Sequence, residues 1–442
     1  MPVCAVSAVL EAPPDGELWL PPAFRQVRPQ TGLSSTHLLA GGGGDTLGLF
    51  EAGFLPLYAG NHEPVCIESH VANWARLGTV HEVADIANLA MSDLPGSDVL
   101  WASVICTEVS PAGRRSRYGG PMGVDRYGRP LGNRRFRRTR ATALDVTRAT
   151  EYHRYRAVAV ENVIDFVTRW ELFGWWVIGM CMLGYRFQLV SVSAAHVGDE
   201  QNPAASQLRD RIYGVFTRLD VPIPDLSPRP ASWCPTCRAT VRGEQRWRHA
   251  ASRRPYPVGR HGHSYDYVCP SMCGSIVRPH VRPAAEAFDL DNLGEPLAAK
   301  SGPRKPSTTL RLEAALRYIT TDATRRHGAR CLRPAGARRL AVMEYRNHCD
   351  AASGWEPLTS VSAQGYHHAI VAAPEGWEPG APLSIHDLTY RMITSREQAR
   401  TQRFPDEYIL CGTAEDVRLQ AGNAVPVNVA RWIGERLADV LL

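Results

Sequence analysis

Four consecutive glycines, Gly41 to Gly44, follow the short apolar run His37 to Ala40 and precede Leu47, Gly48, Leu49, Ala52, Gly53 and Phe54 at helical spacing. That order predicts a strand, a glycine turn and a helix, because glycine admits backbone angles closed to other residues. The helix opening after the turn offers unpaired N–H groups, so the turn suits a nucleotide-type ligand brought close to the main chain. The alternation continues. Strands are expected at Leu55–Ala59, Glu82–Ile86, Val99–Ile105, Ala157–Val160 and Phe187–Ala195, and helices at about Val65–Trp74, Asp145–Tyr155 and Val167–Leu183. Repeated strand and helix units predict an α/β fold around an open sheet, with ligands gathered at the C-terminal edge of its strands.

Chemistry-bearing residues fall at those strand ends. His62 and Glu63 close the second strand, and either can take a ribose hydroxyl; Asp85, followed by Ile86, can accept a bond from an exocyclic amine or cap the next turn. In WASVICTEVSPAG, Trp101 to Gly113, an apolar strand gives way to Thr107, Glu108, Ser110, Pro111 and Gly113, which sets Cys106 at the edge as a candidate nucleophile. Glu161 follows four small apolar residues, where partial desolvation would raise its pKa and suit it to donate a proton. Gln207, Arg209 and Arg211 alternate before Ile212, so their side chains are expected on one strand face, where arginine forks can hold a phosphate or brace a base.

The chain has 442 residues, which predicts two or three domains. No apolar run is long enough to span a bilayer and the N-terminus lacks a signal pattern, so a cytoplasmic protein with no membrane partner is expected. Eleven cysteines are too few for a disulfide scaffold, so any cluster points to metal or catalysis. The net charge of +6 is mild, but Arg114, Arg115, Arg117 and seven further arginines crowd the stretch up to Arg140 among glycines, a composition suited to a polyanion.

Residues 1–35 are proline-rich and read as an N-terminal extension, and 36–221 as the first domain. From about Pro222 to 385, frequent proline, glycine and tryptophan predict a second, irregular domain. Inside it, Cys234 and Cys237 (C-x2-C) with Cys269 and Cys273 (C-x3-C) form two close pairs able to close a tetrahedral zinc site. The arginines and aromatics between the pairs, among them Arg242, Arg246, Trp247, Arg248 and Tyr265, suit DNA contact. Residues 386–442 return to regular structure, with a helix at Leu388–Phe404, a turn at Gln420–Pro426 and an amphipathic helix at Val427–Leu441, folding back on the first domain.

Together these segments resemble the DNA (cytosine-5)-methyltransferase family, in the form carried by actinobacteria and their phages. LLAGGGGDTLGLFEAGF is similar to its cofactor glycine motif, ADI to its adenine-contacting motif, Glu161-Asn162-Val163 to its ENV motif, QLRDR to its glutamine and arginine motif, and QAGNAVP to its C-terminal motif. The resemblance implies a Rossmann-like S-adenosylmethionine-dependent methyltransferase fold with an inserted target-recognition domain that reads double-stranded DNA, acting as a monomer. It implies cofactor contacts from Leu39, Ala40, Gly41, Gly42, Gly43, His62, Glu63, Asp85, Ile86, Asn423 and Val425, and catalysis by Cys106, Glu161, Arg209 and Arg211. Arg114, Arg115, Arg117 and Gln207 would contact DNA. Where the family has proline before the nucleophile, this chain has Ile105, which leaves open a DNA-binding homologue without turnover, or the same chemistry on RNA or with a modified cofactor.

Overall fold

The computed structural model describes residues 31–105, 142–248, 255–299, 304–321, 333–346, 350–363 and 365–442. Cys106, Arg114, Arg115, Arg117 and most of the N-terminal extension lie outside them. The first half alternates as its patterning predicts: β1 (Ser34–Leu38), α1 (Gly44–Glu51), β2 (Leu55–Asn61), α2 (Pro64–Trp74), β3 (Val80–Val83), β4 (Val99–Ala102), α3 (Thr142–His153), β5 (Ala157–Asn162), α4 (Ile164–Arg169), α5 (Phe173–Met182), β6 (Tyr185–Ser193), β7 (Gln207–Leu208) and β8 (Asp210–Arg218).

Seven strands form one sheet in the order β3-β2-β1-β4-β5-β8-β6. β1 to β5 run parallel, β8 is antiparallel to β5, and β6 is antiparallel to β8. β4 shows why the central strands read as unbroken apolar runs. Val99 and Trp101 join the core with α1 and the C-terminal helix, while Leu100 and Ala102 join the opposite core with Val146, Trp176 and Met180. Both faces are covered, so both need apolar side chains.

Three short differences from the expected elements have local causes. The predicted third strand starts and ends earlier, because Asp85 turns the chain into a 3-10 turn by accepting the Ala87 N–H at 3.1 Å. The predicted helix at 167–183 is two helices, broken at Trp170, whose backbone is extended. Arg209 interrupts the strand expected to carry Gln207, Arg209 and Arg211, so β7 pairs separately with Leu358–Thr359.

The described residues of the inserted region hold more short strands than the irregular domain expected. Ala231–Cys234, Ala239–Arg242 and Arg278–Pro279 make a three-stranded sheet, and Glu244–Trp247 pairs with Tyr265–Val268. Further on, a five-stranded antiparallel sheet runs Glu295–Pro296, Thr389–Met392, His368–Ala372, Leu340–Glu344, Ala351–Ser353, with α6 (Pro306–Thr321) packed on it. Strands of two to five residues are too short for alternation to show in sequence. The last of these strands, Thr389–Met392, lies beyond the boundary expected at 385/386 and replaces the start of the helix expected from Leu388.

The chain then returns to the first domain through α7 (Ser395–Thr401), α8 (Ala414–Asn423) and α9 (Val427–Leu441). α9 lies against α1 so closely that a Cβ on Gly48 would sit 2.5 Å from the Ala430 Cβ and 2.6 Å from the Val427 carbonyl oxygen. Only glycine allows that approach. Among the described residues no helix is long and apolar enough to cross a membrane.

Candidate active site

The glycine turn is shaped by three residues in left-handed conformation: Leu39 (φ 57°), Gly41 (φ 54°) and Gly43 (φ 85°). For Leu39 that conformation costs about 1 kcal/mol, so the surroundings must hold it. A Cβ on Gly43 would lie 2.2 Å from the Tyr408 hydroxyl oxygen, whereas one on Gly41 would meet nothing within 4 Å. The turn is therefore closed on the protein side and open on the other. Beneath it, His37 Nδ1 lies 2.7 Å from Asp45 Oδ2 and Nε2 lies 2.9 Å from Ser35 Oγ, all three residues buried. This network ties β1 to the first turn of α1. Motif reading missed it, although a histidine and an aspartate flanking a glycine run in apolar context are a usable signal. Leu39, Ala40, Gly42 and Gly43 are buried, and Gly44 packs against the carbonyl of Val425, so that buried residue closes the turn from behind. Asn423, the last residue of α8, is exposed.

The neighbouring strands end level with this turn, since Leu38 pairs with Gly60 and Asn61 with Val83. Past β2, His62 and Glu63 are half-exposed with Nε2 and Oε1 3.3 Å apart, and Glu63 is the residue at the N-terminus of α2. Past β3, Asp85 is exposed and Ile86 buried beneath it. Asp85 thus has both the capping role and an accessible carboxylate. The edge offers main-chain N–H donors at β1, a carboxylate at β2 and a carboxylate at β3, a donor and acceptor set that fits a carboxylate, a ribose and an amine in sequence.

On the other side of β1, Ala102 of β4 pairs with Val160 of β5, which brings Glu161 to the same edge. Glu161 is 7% exposed, and its Oε1 lies 3.1 Å from Arg211 Nε. Burial pushes its carboxyl above the ordinary range, Asp45 adds to that, and Arg211 and then Arg209 oppose it. Asn162 donates from Nδ2 to the Val104 carbonyl at 2.9 Å, and the Ile105 N–H donates to Thr142 Oγ1 at 3.3 Å. Both contacts fix the chain within two residues of Cys106, which itself lies outside the described residues. Asn162 was legible only as the middle residue of the Glu161-Asn162-Val163 motif, and Thr142 was not singled out from sequence, because a backbone-holding role leaves no motif of its own.

Two expected roles are corrected. Arg209 is buried, and its guanidinium donates to the carbonyls of Val361 (3.2 Å), Gly422 (3.0 Å) and Ala424 (3.0 Å). It holds the inserted region and the C-terminal segment together instead of bracing a base. Gln207 is fully buried, donating to the Thr401 carbonyl at 3.1 Å and accepting the Val361 N–H at 3.0 Å, so it does not face DNA. The expected shared strand face fails because the chain breaks at Arg209, and it is Arg211 that pairs directly with Glu161.

In the insert, Cys234, Cys237, Cys269 and Cys273 bring their sulfurs within 4.8 Å of one another. Sγ separations are 3.7 Å for Cys234–Cys273, 3.9 Å for Cys237–Cys269 and 3.5 Å for Cys237–Cys273. A zinc ion with Zn–S bonds of about 2.3 Å holds tetrahedral sulfurs about 3.8 Å apart, so the cluster fits one ion. The Cys237 N–H also points at Cys234 Sγ, at 3.3 Å. Tyr265, expected at a DNA surface, is buried against Trp247, and Arg248 is paired with Asp266.

Comparison with known proteins bears on the whole arrangement. DNA (cytosine-5)-methyltransferase 3 of Zea mays is 43% identical over 65 residues, which is 15% of this chain and 7% of that protein. The DNA (cytosine-5-)-methyltransferase M.ApeKI of Aeropyrum pernix is 43% identical over 56 residues, 13% of this chain and 12% of its own. The chain thus matches only about a tenth of the length of these curated relatives. A crystal structure of a Spodoptera frugiperda DNMT2 variant aligns with 91% of this chain and 99% of its own at a TM-score of 0.50 and 13% identity, a likeness of fold. The sequence pattern of the C-5 cytosine-specific DNA methylases matches residues 33–246 and 302–439, on both sides of the cysteine cluster's second half, and the chain belongs to that family.

Proposed function

We propose that the chain methylates C5 of cytosine in double-stranded DNA, as a monomer using S-adenosylmethionine. The observation that carries this reading is the single sheet edge on which a glycine turn, two carboxylates for a nucleoside and the buried Glu161–Arg211 pair flank the strand leading to Cys106. Gly41, Gly42 and Gly43 would hold the cofactor's polar end through main-chain N–H groups, Glu63 or His62 its ribose and Asp85 its amine, with Leu39, Ala40, Ile86, Asn423 and Val425 lining the site. When bound, S-adenosylmethionine supplies an electrophilic methyl group.

Cytosine C5 is a weak nucleophile, and a thiolate adding at C6 turns the ring into an enamine. Cys106 supplies that thiolate. Glu161 gives or shares a proton at N3 as charge develops, and Arg211 holds the Glu161 carboxyl in place. Once C5 carries the methyl group, its proton passes to water, the C5–C6 double bond re-forms and the sulfur leaves C6 as thiolate. A stacked base offers none of these atoms to the edge, so the cytosine is flipped out, and Arg114, Arg115 and Arg117 meet the phosphates around it. Residues 222–392 form the target-recognition insert, with one zinc ion on its four thiolates contributing folding free energy to a small unit.

Duplex DNA carrying 5-fluorocytosine tests the chemistry. With cofactor present, the wild-type chain should form a denaturation-resistant adduct and Cys106→Ser none. Cofactor binding without an adduct in the wild type defeats the proposal in favour of a binding homologue. For zinc, Cys234→Ala should lower metal content below one ion per chain.

A further inference from the structure

The described residues of the cysteine-bearing unit, within 231–279, meet the catalytic sheet along β6, where Tyr256 packs on Phe173 and Phe187. Gln245 Nε2 donates to the Ser191 carbonyl at 2.9 Å, Ser191 Oγ donates to the Gly259 carbonyl at 2.8 Å, and Ser191 Oγ accepts the Gly259 N–H at 3.1 Å. Ser191 lies on β6 directly opposite Ile212 of β8, and the next pair is Val192 with Arg211. The residue gripped therefore precedes Val192, the cross-strand partner of the arginine that holds Glu161, with its own side chain on the other face of the sheet.

A ring cluster fills the rest of this contact. The His261 ring centroid is 4.7 Å from His196 of the catalytic domain and 5.3 Å from Tyr267, with Tyr265 a further 5.6 Å from Tyr267. The half-buried Asp210 carboxyl faces the His261 backbone, with Arg260 beside it. Tyr265 and Tyr267 belong to the strand that runs straight into Cys269. Thiolate cluster, aromatic wedge and Asp210 thus lie in series on one face of the sheet, and the β8 backbone carries that series to Arg211, which meets Glu161 on the other face; interior packing transmits displacement because it has few voids. The unit's aromatics point inward along this series.

The geometry points to the cysteine-held unit being a brace for the Arg211–Glu161 pair, with His261 and Gln245 as positioning residues and the bound metal as what keeps the brace rigid. This rests on the methyltransferase reading for the meaning of Glu161. The brace sets where the carboxyl sits and leaves duplex affinity to the rest of the insert.

Hydrogen exchange on the intact chain and steady-state kinetics test it together, on wild type, His261→Ala, Gln245→Ala and metal-stripped wild type. Both variants should retain their metal. Each of the three perturbed forms should exchange faster at residues 159–163 and 209–213, and kcat should fall about tenfold with the KM for duplex DNA unchanged. Faster exchange confined to 231–279, or a raised KM for DNA at constant kcat, overturns the brace and makes the unit a DNA reader. The exchange measurement does not depend on turnover, so failure of the methyltransferase reading shows separately, as a wild type without adduct.

Discussion

Replacing Arg209 separates a structural staple from a base contact. In Arg209→Met the three carbonyls of Val361, Gly422 and Ala424 lose their donor. Each charge-assisted bond contributes about 1.5–3 kcal/mol, but a direct sum overshoots because the site relaxes and water enters. Taking a donor from a buried neutral acceptor costs about 1–3 kcal/mol, and with three such carbonyls, partial relaxation and Arg209 only 2% exposed the loss should be about 3–5 kcal/mol. Arg209→Lys keeps the charge but loses the fork that spans acceptors on two segments, and should lose at least half as much stability as the methionine variant. Urea denaturation followed by circular dichroism measures the loss. Cofactor affinity should fall as well, since Gly422 and Ala424 flank the segment that carries Val425 to the glycine turn. An Arg209→Met protein with wild-type stability and a kcat reduced at constant KM would refute this reasoning and return the guanidinium to the base.

Other perturbations follow from the same geometry. Gly43→Ala combines left-handed strain of about 1–2 kcal/mol with a clash on Tyr408, so calorimetry should show cofactor affinity lower by about tenfold or more. Glu161 must carry a proton to donate one, so kcat should fall as pH rises through its raised pKa. Arg211→Met removes the strongest influence opposing burial and should move that falling limb to higher pH, and movement the other way defeats the assignment. Burial holds the His70 imidazole down at about 4 against an ordinary 6.5, so the unfolded chain binds its proton first on acidification. Stability should therefore be intact above pH 6.5 and fall by about 3 kcal/mol towards pH 4 on this account, and His70→Phe should flatten part of the profile of urea midpoints.

How far the sequence reaches differs between the two halves of the molecule. β4, β5 and α9 could be placed from pattern because long-range burial acts on them uniformly: parallel strands covered on both faces need unbroken apolar runs, and α9 needs one apolar stripe. The strands of the insert could not, since strands of two to five residues show no period; legible there were the apolar period of Thr308–Ile319, which is α6, and the spacing of four cysteines, which chemistry rather than packing dictates.

At the site the division is sharper. Residue type and order along the chain determined which groups reach the strand ends, because strand direction and right-handed crossovers bring successive C-terminal ends to one edge. Only the tertiary structure decided between the two arginines of QLRDR. A one-residue break at Arg209 turns its guanidinium toward three backbone carbonyls, while Arg211 remains on β8 beside Glu161. The motif is the same for both. What differs is which unpaired buried polar groups each one finds, and those come from Val361, Gly422 and Ala424, distant in sequence and adjacent only after folding.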